Sequence, residues 1–150
     1  MKKLPTDDYD KYAADCEKIQ AKNAILLKEF EKYLAQSNLS EKIIGNHVSN
    51  IDFFINSFLL YSEAIEAKDG IDDIDSFLGD WFIRKALWSS KASIKGYAAS
   101  FKKFYSFMLG KRLITEKDFD DMKYLIKDEM EEWLAALERF DNPSGGDDWF

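Results

Sequence analysis

Residues 90–110 read SKASIKGYAASFKKFYSFMLG, and their spacing decides the fold class. Ile94, Ala98, Phe101, Tyr105 and Met108 recur at steps of three and four, which is the period of a helix with one face in a core. Ser90 or Ser93 can cap its start, and Gly110 suits its C-terminal stop. At about 100° per residue, Lys91, Lys95 and Lys102 fall within roughly 40° of one another on an edge beside the apolar arc. Between Trp81 and Thr115 the chain carries Arg84, Lys85, Lys91, Lys95, Lys102, Lys103, Lys111 and Arg112 without a single Asp or Glu. The helix that organises the core therefore also carries the concentrated positive charge.

Working outward, the chain has 150 residues, 46% of them hydrophobic and 15% aromatic. That is enough to bury a core in one domain, expected over residues 1–140. One cysteine, Cys16, rules out an internal disulfide framework and lacks the partners of a thiolate metal site. No apolar run approaches the roughly 18 residues of a membrane span, and the start MKKLPTDDYD lacks an apolar signal core. A soluble, cytoplasmic protein is the expectation. The net charge of −7 argues against a nucleic-acid partner until its distribution is considered. Residues 1–36 are balanced, residues 37–113 have one excess positive charge, and residues 114–150 have eight excess negative charges. The acidity belongs to the last quarter.

Before the basic helix, Asp7 to about Gln36 forms one long helix or two joined near Lys22, with Tyr9, Tyr12, Cys16, Ile19, Leu27, Phe30 and Leu34 as its stripe. Cys16 on that stripe reads as a buried small apolar side chain. Ser40 is placed to cap a second helix to about Tyr61, whose arc holds Ile43, Ile44, Val48, Ile51, Phe54, Ile55 and Phe58. Its other face is mostly neutral and polar: Asn46, Ser49, Asn50, Asn56 and Ser57. Such groups can bond base edges and phosphate oxygens, or simply form an ordinary polar face. His47, the only histidine, lies within the arc and reads as structural. Residues 62–75 form an acidic connection around Gly70, whose Asp69, Asp72, Asp73 and Asp75 do not match a calcium loop and suit helix-start acids. A third helix is expected over Ile74–Leu87.

After the basic helix, Thr115 with Asp118 resembles a capping box, and Phe119, Met122, Ile126, Met130, Trp133, Leu137 and Phe140 repeat over about six turns. The other faces of this helix are charged. It can pack back on its own bundle or offer a seam to a second chain. DNPSGG stops it, and residues 141–150 are expected to be a flexible tail in which Trp149 and Phe150 are candidates for docking on a partner. No strand alternation or repeat emerges, so the chain is expected to be all-α with about five to six helices. Nucleophile–base pairs, phosphate-cradling glycine loops and metal-ligand clusters are missing, which points away from an enzyme, a cofactor or a metal.

Four segments together resemble the core-binding, SAM-like domain of tyrosine recombinases, the phage integrase family. They are Leu26–Ala35, Asn38-Leu39-Ser40, the run Ile43-Ile44-x-x-His47-x-x-x-Ile51-x-x-Phe54, and Ser90-x-x-Ser93-Ile94-x-x-Tyr97-Ala98-x-x-Phe101-x-x-Phe104-Tyr105-x-Phe107 with its Gly110-Lys111 exit. The resemblance covers about residues 23–114, with Ile74–Leu87 at the place of the family's third helix. It implies a four-helix unit that clasps duplex DNA through its second and fourth helices. The contacts it implies here are Asn46, Ser49 and Asn50 on the second, and Lys91, Lys95, Lys102 and Lys103 on the fourth. Lysines on phosphates would give affinity without sequence choice, while asparagines could read adenine edges. The chain departs from the family at Ile43 and His47, where Thr and Tyr are usual, and after the fourth helix, where an acidic helix stands in place of the catalytic domain. Strand transfer, and with it DNA integration or recombination by this chain alone, is not expected.

Two functions follow as expectations. One is a non-catalytic DNA-binding module, monomeric or weakly self-associating. The other is a protein-interaction or regulatory module that uses the acidic C-terminal helix without binding DNA. That helix could also cover the basic edge in the same chain and suppress its affinity.

Overall fold

The computed structural model describes residues 5–142. The chain is all-α, with no strand among the described residues, and it divides between Gly70 and Ile71 into two compact units. No helix of the described residues is long and apolar enough to cross a membrane.

In the first unit, α1 (Pro5–Ala35) is one unbroken helix. Ile19, Phe30 and Leu34 of its stripe are buried, but Tyr9 is exposed and Cys16 only half-buried. Cys16 is thus not the enclosed residue its position on the stripe suggests, because the stripe emerges from cover toward the N-terminus. The Tyr12 hydroxyl donates to the carbonyls of Leu60 and Tyr61, which ties this half of α1 down by hydrogen bonds instead. Asn38, in the left-handed region (φ 59°), turns the chain after α1, a conformation that asparagine tolerates better than most residues. Ser40 then caps α2 (Glu41–Asp52), its hydroxyl accepting the Ile43 N–H at 3.2 Å.

The second helix does not continue as an α-helix to Tyr61. From Phe53 to Phe58 it widens into a π-turn, and the buried residues that follow are spaced by five: Phe54 with Leu59, and Ile55 with Leu60. Widening frees backbone groups that need new partners. Buried Asn23 of α1 supplies one, its carboxamide N–H donating to the Ile55 carbonyl at 3.4 Å and to Asn56 Oδ1 at 2.8 Å. Asn56 in turn donates to Asp52 Oδ1 at 2.6 Å. Asn23→Leu is expected to destabilise the protein by about 1–3 kcal/mol, the cost of leaving these acceptors dry and unsatisfied. A urea midpoint unchanged from the parent's would show that the bond contributes nothing.

In the second unit the same device recurs. Helices α3 (Ile74–Ser76) and α4 (Phe82–Lys85) are joined by a π-turn over Phe77–Trp81. Again the buried pairs stand five apart, Phe77 with Phe82 and Leu78 with Ile83. The expected third helix ends at Lys85, short of Leu87, which is fully exposed. Phe77 sits in an aromatic cluster, with ring centroids 5.3 Å from Tyr97, 6.0 Å from Phe101 and 5.4 Å from Phe82. Burial there pushes the Tyr97 phenol well above its ordinary pKa, as expected of a dry site.

The remaining helices are α5 (Lys91–Gly110) and α6 (Glu116–Asp141). Thr115 and Asp118 form the expected capping box. Helix α6 packs back on α5 and on the segment from Ile74 to Lys85, burying Met122, Ile126, Trp133 and Leu137 but leaving Phe140 exposed. Trp133 Nε1 donates to Asp75 Oδ1 at 2.7 Å, so Asp75, expected as a helix-start acid, also anchors the last helix. That helix runs through Asp141, one residue into the expected tail. Residues 143–146 of DNPSGG, with Trp149 and Phe150, lie outside the described residues.

Candidate nucleic-acid interface

The start of α5 is set by two serines acting together. Ser90 Oγ accepts the Ser93 N–H at 3.0 Å and Ser93 Oγ accepts the Ser90 N–H at 2.8 Å, so both candidate caps are used. Its core face is wider than the five residues of the basic pattern, since Tyr97, Phe104 and Phe107 are buried as well. The lysines are thereby confined to the remaining arc. At the other end Gly110 is an ordinary helical residue, and the stop is made by Arg112 at φ 63°. The Arg112 N–H donates to Leu109 and the Leu113 N–H to Met108, the bond pair of a Schellman motif. The expected glycine stop is thus displaced by two residues onto an arginine, at a conformational cost of about 1 kcal/mol.

The acid-free stretch does not expose all its charge equally. Arg84 donates two bonds of 2.9 Å to Asp80, just outside that stretch, and this holds the Asp80 carboxyl below its ordinary range. Lys91 lies 3.9 Å from Glu138 of α6, and Lys111 stands over the Phe107 ring. Lys95, Lys102 and Lys103 have no ion-pair partner among the described residues. Lys95 and Lys102 are exposed, whereas Lys103 is half-buried.

The amide face of α2 belongs to the first unit and stands on its own. Asn46 and Ser49 are exposed and Asn50 is half-buried. Asn56, counted with them on helical spacing, is turned inward by the π-turn to bond Asn23, so it is withdrawn from the polar face. His47 is half-buried.

One feature of the second unit escapes any reading of α6 as an acidic helix. An open groove of about 680 Å³ runs between α5 and α6, with Ile126 and Met130 among its lining. Its rim carries Lys102 of α5 together with Lys123, Lys127 and Tyr124 of α6, and one carboxylate, Asp120. Lys123 is steadied by Asp120 at 3.9 Å and by the Phe119 ring, 4.7 Å from its ammonium. Lys127, like Lys102, has no ion-pair partner among the described residues. The residues at 120, 123, 124 and 127 share one helical face, a spacing present in the sequence but hidden by the negative sum of the segment.

No protein-family profile, curated protein or solved structure matches the chain.

Proposed function

We propose that this chain is a non-catalytic module that binds duplex DNA, with the lysines of α5 on the phosphates. The observation that carries the proposal is the α5 edge itself: Lys95 and Lys102 exposed, unpaired among the described residues, and set in a stretch free of acids. A cation already neutralised by a neighbour has little to gain from a phosphate, whereas a solvated one releases the counterions that drive association. The resemblance to the recombinase core-binding domain supports the choice of duplex DNA and brings in Asn46, Ser49 and Asn50 as base-reading candidates. The same resemblance, followed by an acidic helix, is the ground for proposing binding without strand transfer.

The test is anisotropy of a labelled duplex at low and moderate salt. Lys95→Glu with Lys102→Glu is expected to weaken binding at least tenfold at low salt and to lower the slope of log K against log salt by about 2. Equal binding by parent and variant would remove the lysine edge as the contact.

The alternative is a protein-interaction or regulatory module that uses α6, favoured by the exposed Phe140 next to an acid-rich surface. Masking of the basic edge by α6 is best tested at the Lys91–Glu138 pair. Removing the helix would instead strip Trp133 and Leu137 from the core. If α6 masks the edge, Glu138→Gln raises DNA affinity; unchanged affinity rules out masking at this pair.

A further inference from the structure

We propose that the groove between α5 and α6 is a subsite for one unpaired nucleotide, its phosphate among Lys102, Lys123 and Lys127 and its base stacked on Tyr124. The inference rests on the nucleic-acid reading and extends it to the helix that the sequence marks as acidic. Three ammonium groups share the groove with a single carboxylate, Asp120, so its local charge is opposite to that of α6 as a whole. Two of the three lysines, Lys102 and Lys127, have no ion-pair partner among the described residues. The third is held in place without being neutralised outright, because Asp120 stands at the outer limit of an ion pair, 3.9 Å away, and the Phe119 ring lies 4.7 Å from the ammonium.

Tyr124 supplies the rest. It is 72% exposed, so its ring contributes little to the core, yet it lines a groove with Ile126 and Met130. An aromatic face beside cations and an apolar lining is the combination on which bases of a single strand stack. A base inside a duplex has no free face, so the occupant is unpaired. The site takes one nucleotide rather than a run, because the exposed carboxylates of Asp128 and Glu131, which have no ion pair among the described residues, make the next turn of α6 repulsive to phosphate.

The experiment compares a blunt duplex with the same duplex bearing a short thymidine overhang, using the full chain and anisotropy at low and moderate salt. The overhang is expected to tighten binding by about tenfold, a modest stacking contribution. Tyr124→Ala should abolish that gain while leaving blunt-duplex affinity unchanged. Lys123→Gln with Lys127→Gln should reduce the gain and the salt slope for the overhang form only. Equal binding of both forms by the parent, or a gain that survives in Tyr124→Ala, overturns the subsite and leaves the duplex reading standing on the α5 lysines. Binding of neither form overturns both.

Discussion

Trp133→Ala is expected to lower the stability of the protein by about 3–5 kcal/mol, the range for removing a large aromatic side chain from a packed core. The indole is 1% exposed, and it carries two separable contributions. Its ring fills the space over Gly79, where a Cβ would stand 2.9 Å from Trp133 Cδ1. Its N–H donates to Asp75 at 2.7 Å. Trp133→Phe keeps most of the ring and loses the bond, so it should cost only about 1–2 kcal/mol of that total beyond its smaller volume. Against the 5–15 kcal/mol typical of a whole domain, the alanine variant would be severely weakened. Urea unfolding of parent, Trp133→Phe and Trp133→Ala gives the comparison. An alanine variant within 1 kcal/mol of the parent would mean that α6 is not anchored through this residue.

Phe77→Ala is expected to cost a similar amount, about 3–5 kcal/mol, for a different reason. Phe77 is 0% exposed and meets Trp81, Phe82, Tyr97 and Phe101 with centroids 5.3–6.0 Å away. The contacts with Tyr97 and Phe101 are edge-on, an arrangement that adds roughly 0.5–1.5 kcal/mol per pair beyond the area buried. It also sits at the start of the π-turn, so its loss unpins a segment whose helical bonding is already irregular. Phe77→Leu refills most of the volume and should recover at least half of the loss. If the leucine and alanine variants unfolded at the same denaturant concentration, cavity volume would not be what Phe77 contributes. Near-ultraviolet circular dichroism should fall in both variants, since the ordered aromatic cluster gives that signal.

The parts that were legible in the sequence are those governed by near neighbours. Ser40, Ser90 and Thr115 cap as their spacing implies, because a cap needs only a hydroxyl and an N–H two or three residues away. The stripe of α5, and that of α6 as far as Leu137, fall on the core side for the same local reason, whereas Phe140 is exposed. What periodicity could not show is where a helix changes period. Phe54, Ile55 and Phe58, or Phe77, Leu78 and Trp81, fit a 3.6-residue repeat as well as a wider one. The choice of a π-turn that buries Leu59, Leu60, Phe82 and Ile83 depends on what those side chains meet. Asn56 shows the consequence, since a single inserted residue moves it from the polar face to a bond with Asn23.

The candidate site divides in the same way. The amino-acid sequence by itself determined an all-α chain, the caps of its helices, the acid-free basic stretch and the concentration of acidity in the last quarter, because these depend on composition and on separations of three or four residues. Only the tertiary structure decided which cations remain available. Lys91 of α5 stands 3.9 Å from Glu138 of α6, while Lys102 gains Lys123 and Lys127 as neighbours across a groove. A sum of charges along a segment assigns α6 to repulsion from phosphate. Coulomb interaction instead falls with distance in space and is screened within about 10 Å, so the lysines that α6 sets beside Lys102 govern the chemistry of the groove.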